Sequence, residues 1–65
     1  MIVASKAIKD FIRNQPSITK FADDMDVSRE TIYNILNDEN ISSDMVAALL
    51  NKTGFQFEKA FEVKE

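Results

Sequence analysis

Sixty-five residues give one domain with a single core, since a chain this short buries only about 60% of the surface it exposes when unfolded. A hydrophobic share of 45% with one Gly and one Pro argues against disorder and against a strand-rich fold, which needs more turn residues. No cysteine and no histidine are present, so disulfides, thiolate sites and the usual proton shuttle and metal ligand are excluded, while a net charge of −3 and a pI near 4.8 weigh against a nucleic-acid binder that relies on bulk basicity.

The chain opens on an apolar run, Met1 to Ala4, which Lys6 and Asp10 interrupt before a signal-peptide core could form. No window approaches the ~20 apolar residues of a membrane span, so a cytoplasmic protein with no membrane partner is expected. From Ala4 to Asn14, the residues Ala4, Ile8, Phe11 and Ile12 recur at helical spacing while Lys6, Lys9, Asp10 and Arg13 fall elsewhere. This predicts a first amphipathic helix that stops at Gln15, because Pro16 forces the residue before it out of the α region.

Ser17 can cap a short second helix whose apolar face is Phe21, Ala22 and Met25. Asp26, Val27 and Ser28 then break it, Asp26 being one of the few residue types that enters the left-handed region at modest cost. Ser28 can cap a third helix with Ile32, Ile35 and Leu36 inside and Arg29, Glu30, Tyr33, Asn34 and Asn37 outside. Residues 37 to 43 read as a polar loop around one apolar anchor, Ile41. Its serines can cap a fourth helix that buries Met45, Val46, Leu49 and Leu50 and stops at Gly54. The tail fits two patterns: Phe57 and Phe61 stand at i and i+4 of a fifth helix, the reading preferred here, whereas Phe55, Phe57, Phe61 and Val63 also suit strand alternation.

Two short helices joined by a three-residue break present one polar helix face outside a compact core, an arrangement suited to recognition. Over Ile18, Thr19, Lys20, Phe21, Ala22, Asp23, Asp24, Met25, Asp26, Val27, Ser28, Arg29, Glu30, Thr31, Ile32, Tyr33, Asn34, Ile35, Leu36 and Asn37, the chain resembles the helix-turn-helix domains of Cro and C1-type phage repressors. Ala22 matches the small residue where the two motif helices cross, and Ile32 and Ile35 match buried positions of the second. Asp26 stands where the family usually has glycine, and Ile18 where it often has glutamine. The resemblance continues through the fourth helix, Gly54 and Phe57, and covers roughly Ala4 to Phe61.

The resemblance implies an all-α fold, a compact four- to five-helix bundle of the lambda repressor-like class. It implies a single domain over residues 1–65 with its motif at about 18–37. The implied function is sequence-specific transcriptional regulation of the lysis/lysogeny type on a double-stranded DNA operator, in the cytoplasm of a bacterial or phage-infected host cell. In such proteins the second motif helix lies in the major groove. The candidate base readers are Arg29, Glu30, Tyr33 and Asn34, which could pair with guanine (Arg29), cytosine N4 (Glu30) and adenine (Asn34). Thr19, Lys20, Ser28, Asn37 and Asn40 are the candidate phosphate contacts.

Plainer roles remain open for each of them. Ser17 and Ser28 could be caps alone, Arg29 and Glu30 a solvated pair, Asn37 and Asn40 loop formers, and Tyr33 a ring at the core edge. Five phenylalanines could exceed what one core hides.

The charge is uneven. Residues 1–16 carry Lys6, Lys9 and Arg13 against Asp10; residues 17–37 carry Lys20 and Arg29 against Asp23, Asp24, Asp26 and Glu30; residues 38–65 hold three lysines against six acids. An acidic motif predicts weak monomeric binding to DNA, and it makes an alternative credible: an antirepressor or modulator that covers the basic surface of a repressor protein. A homodimer through the aromatic segment Phe55 to Val63 is a further expectation. Catalysis lacks support, with no histidine or cysteine, no glycine-rich phosphate loop and too little chain to enclose a pocket, and no cofactor or metal is implied.

Overall fold

Each of the four longer helices starts at a serine. In the computed structural model, which describes residues 1–65, the chain runs β1 (Ile2–Ala4), α1 (Lys6–Arg13), α2 (Ile18–Asp24), α3 (Arg29–Leu36), α4 (Ser43–Thr53), α5 (Phe57–Ala60) and β2 (Phe61–Val63). Ser17, Ser28 and Ser42 sit in extended backbone just before α2, α3 and α4, and their hydroxyls accept from the amides of Lys20, Thr31 and Met45 at 3.2, 3.2 and 3.3 Å. Each hydroxyl satisfies one of the amides that a helix start leaves without an internal partner. Ser5 stands before α1 in the same conformation, but its hydroxyl donates to the Lys59 carbonyl at 2.6 Å and its amide to Ala60 at 2.9 Å, tying the N-terminus to the tail.

The fold is mostly helical, with one departure from the all-α expectation. Ile2–Ala4 form a strand antiparallel to Phe61–Val63, in the register Ile2↔Val63, Val3↔Glu62 and Ala4↔Phe61. Ala4 is therefore a strand residue, and α1 begins two positions later than its apolar spacing suggested. The physical reason is that Ala4 buries its methyl against the tail: it and Phe61 are both inside the core. Helix α1 also ends early, with Asn14 as its cap, ahead of the restriction that Pro16 imposes. Helix α4 takes in Ser43, since the capping serine is Ser42.

The tail combines both patterns that its sequence allows. Phe57–Ala60 make a single helical turn, and the chain then straightens into β2. The Phe57 and Phe61 rings, one turn apart, lie 5.5 Å apart between centroids. Gly54 ends α4 in the left-handed conformation with φ 75°, donating its amide to Leu50 at 2.8 Å.

The core draws on every element: Ile8 and Ile12 from α1, Phe21 and Ala22 from α2, Ile32 and Ile35 from α3, Met45, Val46 and Leu49 from α4, Ala60 and Phe61 from the tail, with Ile41 as the loop's anchor. Phe11 links the layers, edge-on to Phe21 at 6.0 Å and to Phe55 at 6.2 Å. All five phenylalanines are buried or half-buried, so one core does accommodate them, and their rings turn inward rather than outward from the tail. No helix is long and apolar enough to cross a membrane.

Candidate nucleic-acid interface

Helices α2 and α3 are locked together by one small residue and one tight turn. Ala22 is almost fully buried, and its carbonyl accepts from the Val27 amide at 2.9 Å across the turn. The chain reverses at Asp26, whose φ of 59° lies in the left-handed region that few side chains tolerate. Ser28 then starts α3, its hydroxyl accepting from the Thr31 amide and lying 3.1 Å from the Thr31 hydroxyl.

With Ile32 and Ile35 fixed in the core, the rest of α3 is set by helical geometry. At 3.6 residues per turn, Arg29, Tyr33, Asn37, Glu30 and Asn34 fall within one arc of about 140°. Arg29, Glu30, Tyr33 and Asn37 are exposed, Tyr33 to 50%, and Asn34 is half-buried at the edge of the arc. All four candidate base readers are thus on one ridge. Tyr33 does not sink its ring into the core edge.

The candidate phosphate contacts are more scattered. Thr19 and Lys20 are exposed on the first turn of α2, and Lys20 borders a shallow depression of about 210 Å³ together with Gln15, Pro16 and Asp24. The Ser28 hydroxyl is already engaged as a cap. Asn37 caps the end of α3 through its backbone and is exposed. Asn40 lies across a groove of about 170 Å³ from Asn34, with Thr31 and Ser42 completing its polar lining. Its Oδ1 accepts from the Ile2 amide at 2.9 Å, which leaves the amide nitrogen as its free donor.

Two features here escaped the sequence reading. Asp38 is a second left-handed residue, with φ 62°, at the turn that follows α3. Its carboxylate pairs with Lys9 of α1, and the hydrogen bond from Lys9 holds its pKa below the ordinary carboxylate value. The residue pair Asn37–Asp38 is a signal for such a turn, but nothing in the sequence identifies Lys9 as its partner. Thr31 and Ser42 likewise join the groove only because α3 and α4 meet there.

The electrostatics of the ridge are acidic on balance. Lys20 and Arg29 share the surface with the exposed carboxylates of Asp23, Asp24, Asp26 and Glu30. Ion pairing occurs elsewhere, at Lys6–Asp10 and Lys9–Asp38, so Arg29 and Glu30 form no contact pair and the Arg29 guanidinium is unneutralised by a neighbour. Comparison of the chain with protein-family models, with curated proteins and with solved structures gives no match.

Proposed function

We propose that the chain is a helix-turn-helix regulator of transcription, with α3 entering the major groove of double-stranded DNA. The observation that carries this reading is the α3 ridge: Arg29, Glu30, Tyr33 and Asn34 project together from a helix whose other side is fixed in the core. A rigid ridge of groups that reach base edges is what direct readout requires, and each good bidentate pair contributes about 1–3 kcal/mol of discrimination. Lys20, Thr19 and Asn37 are exposed to contact phosphate, joined by the free amide nitrogen of Asn40; Ser28 acts first as a cap. A catalytic role draws no support from the surface, whose two depressions of about 170 and 210 Å³ are smaller than ordinary ligand pockets.

A second reading is favoured by the charge around the ridge. Asp23, Asp24, Asp26 and Glu30 oppose phosphate and suit a basic protein surface, so an antirepressor or modulator that grips a repressor through α3 is the alternative. The two separate in one experiment. Duplexes selected from a randomised library are titrated by fluorescence anisotropy at low and moderate salt. On the DNA reading, affinity falls steeply with salt, Arg29→Ala relaxes preference at particular bases, and Lys20→Ala weakens all sequences alike and flattens the salt slope. No enrichment and no binding at low salt would sink the DNA reading in favour of the protein-directed one.

A further inference from the structure

The groove where α3 meets α4 differs from the depression beside α2 in one respect: no charged side chain lines it. Ile35, Ile41 and Met45 form its apolar surface, and all three belong to the core. Its polar walls carry two carboxamides, Asn34 from α3 and Asn40 from the loop before α4. Both stand on fixed backbone. The main-chain carbonyl of Asn34 accepts from the Asn37 and Glu39 amides, each at 3.1 Å, and the loop is fastened to β1 by the Ile41 amide, which donates to the Ile2 carbonyl at 2.8 Å.

Much of the hydrogen-bonding capacity of these walls is unused. Asn40 Oδ1 accepts from the Ile2 amide at 2.9 Å, which fixes the orientation of that carboxamide and leaves its two N–H donors without a protein partner. The Asn34 carboxamide is half-buried and bonds to no group of the chain, so it keeps an acceptor and a donor side by side in one plane. The Ser42 oxygen accepts from the Met45 amide, and its proton remains a further donor. These features select a ligand by its chemistry. An ion entering an uncharged lining would lose hydration with nothing to replace it. A flat ring suits an apolar surface between two planar amides, and an N–H beside a C=O on that ring pairs with Asn34 in two parallel bonds, the way a carboxamide pairs with adenine. A second ring carbonyl accepts from Asn40. The space of about 170 Å³ is close to the roughly 150 Å³ that encloses one benzene molecule, so it suits a single ring.

We propose that the α3–α4 groove binds one small uncharged cyclic amide, a six-membered ring whose N–H is flanked by carbonyls, held between Asn34 and Asn40. The groove is open on one side and the ring is small, so binding is weak, in the millimolar range. The consequence for α3 rests on the DNA reading: Asn34 is one of its four base readers, and a ring that engages the Asn34 carboxamide withdraws it from adenine, so that ligand and operator compete.

Uracil has this pattern of groups and serves as the probe, titrated into the isotope-labelled full chain and followed in heteronuclear spectra. Saturable shifts are expected at the side-chain amide signals of Asn34 and Asn40 and at the backbone amides of Ile41 and Ser42. The dimethyl derivative, in which both ring N–H groups are methylated, keeps the ring and its carbonyls and binds at least about tenfold more weakly. Asn34→Ala removes a side chain that no protein group uses, and Asn40→Asp keeps the acceptor for the Ile2 amide while replacing the donors; each weakens uracil about fivefold or more and leaves the other signals in place. No saturable shift up to the solubility of uracil, equal binding of the dimethyl derivative, or shifts that survive both substitutions overturns the site. This arm contains no DNA, so it stands or falls apart from the DNA reading. In a second arm, uracil at the top of that titration raises the dissociation constant of the parent for its selected duplex several-fold and leaves that of Asn34→Ala unchanged, and a parent affinity unmoved by uracil overturns the competition.

Discussion

Two aspartates in left-handed backbone shape the chain on either side of α3, and they do so for different reasons. Asp26, at φ 59°, turns α2 into α3 and is exposed, so its contribution is conformational. A β-branched replacement meets the full steric cost of that region, and Asp26→Val lowers the unfolding free energy by about 1–2 kcal/mol, while Asp26→Gly leaves it unchanged or raises it; urea titration with a constant m-value distinguishes the two. Asp38, at φ 62°, adds a charge contact with Lys9. Its folded pKa lies below the ordinary 3.8, so the contact contributes stability above that value and loses it as the pH falls through the lower, folded pKa. Asparagine keeps the backbone preference and removes the charge. The stability difference between the parent and Asp38→Asn is therefore present at neutral pH and closes on acidification below about pH 4, as urea midpoints across that range would register.

Among the elements, α4 shows most simply how a terminus is specified. Ser42 caps its start, Asp44 and Lys52 lie at the ends where the helix dipole favours them, and Gly54 takes φ 75°. A methyl group added at Gly54 would meet no atom beyond its own chain neighbours within 4 Å, so its replacement costs conformation alone. Gly54→Ala should lower stability by about 1 kcal/mol with native contacts unchanged, measurable as a shifted unfolding midpoint with an unperturbed heteronuclear spectrum beyond the α4–α5 junction. The short α5 has no comparable autonomy. Four residues cannot sustain a helix alone, and this turn exists because Ala60 is wholly buried and because the Lys59 and Ala60 carbonyls accept from the Ser5 hydroxyl and amide.

At the scale of the whole molecule, the first and last residues close the fold. Val3 and Ala4 are among the most buried residues, and the loop at Asn40 and Ile41 fastens to the other side of β1. Deleting residues 1–4 removes that apolar burial together with the β1 ladder, a loss of about 2–4 kcal/mol from a domain of ordinary marginal stability. The truncated chain should melt with much reduced cooperativity in circular dichroism. If it unfolds like the parent, the two-stranded sheet is an ornament and the N-terminal residues are dispensable.

Local signals suffice for most of α2, α3 and α4, because their serine caps and apolar periodicity, with the stops at Asp26 after α2 and Gly54 after α4, act within a few residues of one another. They also determine the ridge at Arg29, Glu30, Tyr33 and Asn34, which follows once Ile32 and Ile35 are assigned to the core. The remaining features rest on contacts between distant segments. Met1–Ala4 is a strand because Phe61–Val63 lies beside it, the tail is half helix and half strand because Ala60 and Phe61 are drawn into the core, and Lys9 meets Asp38 across the fold. Local periodicity could not choose among those outcomes, since each of these short segments has little intrinsic preference and takes the conformation that its partner stabilises.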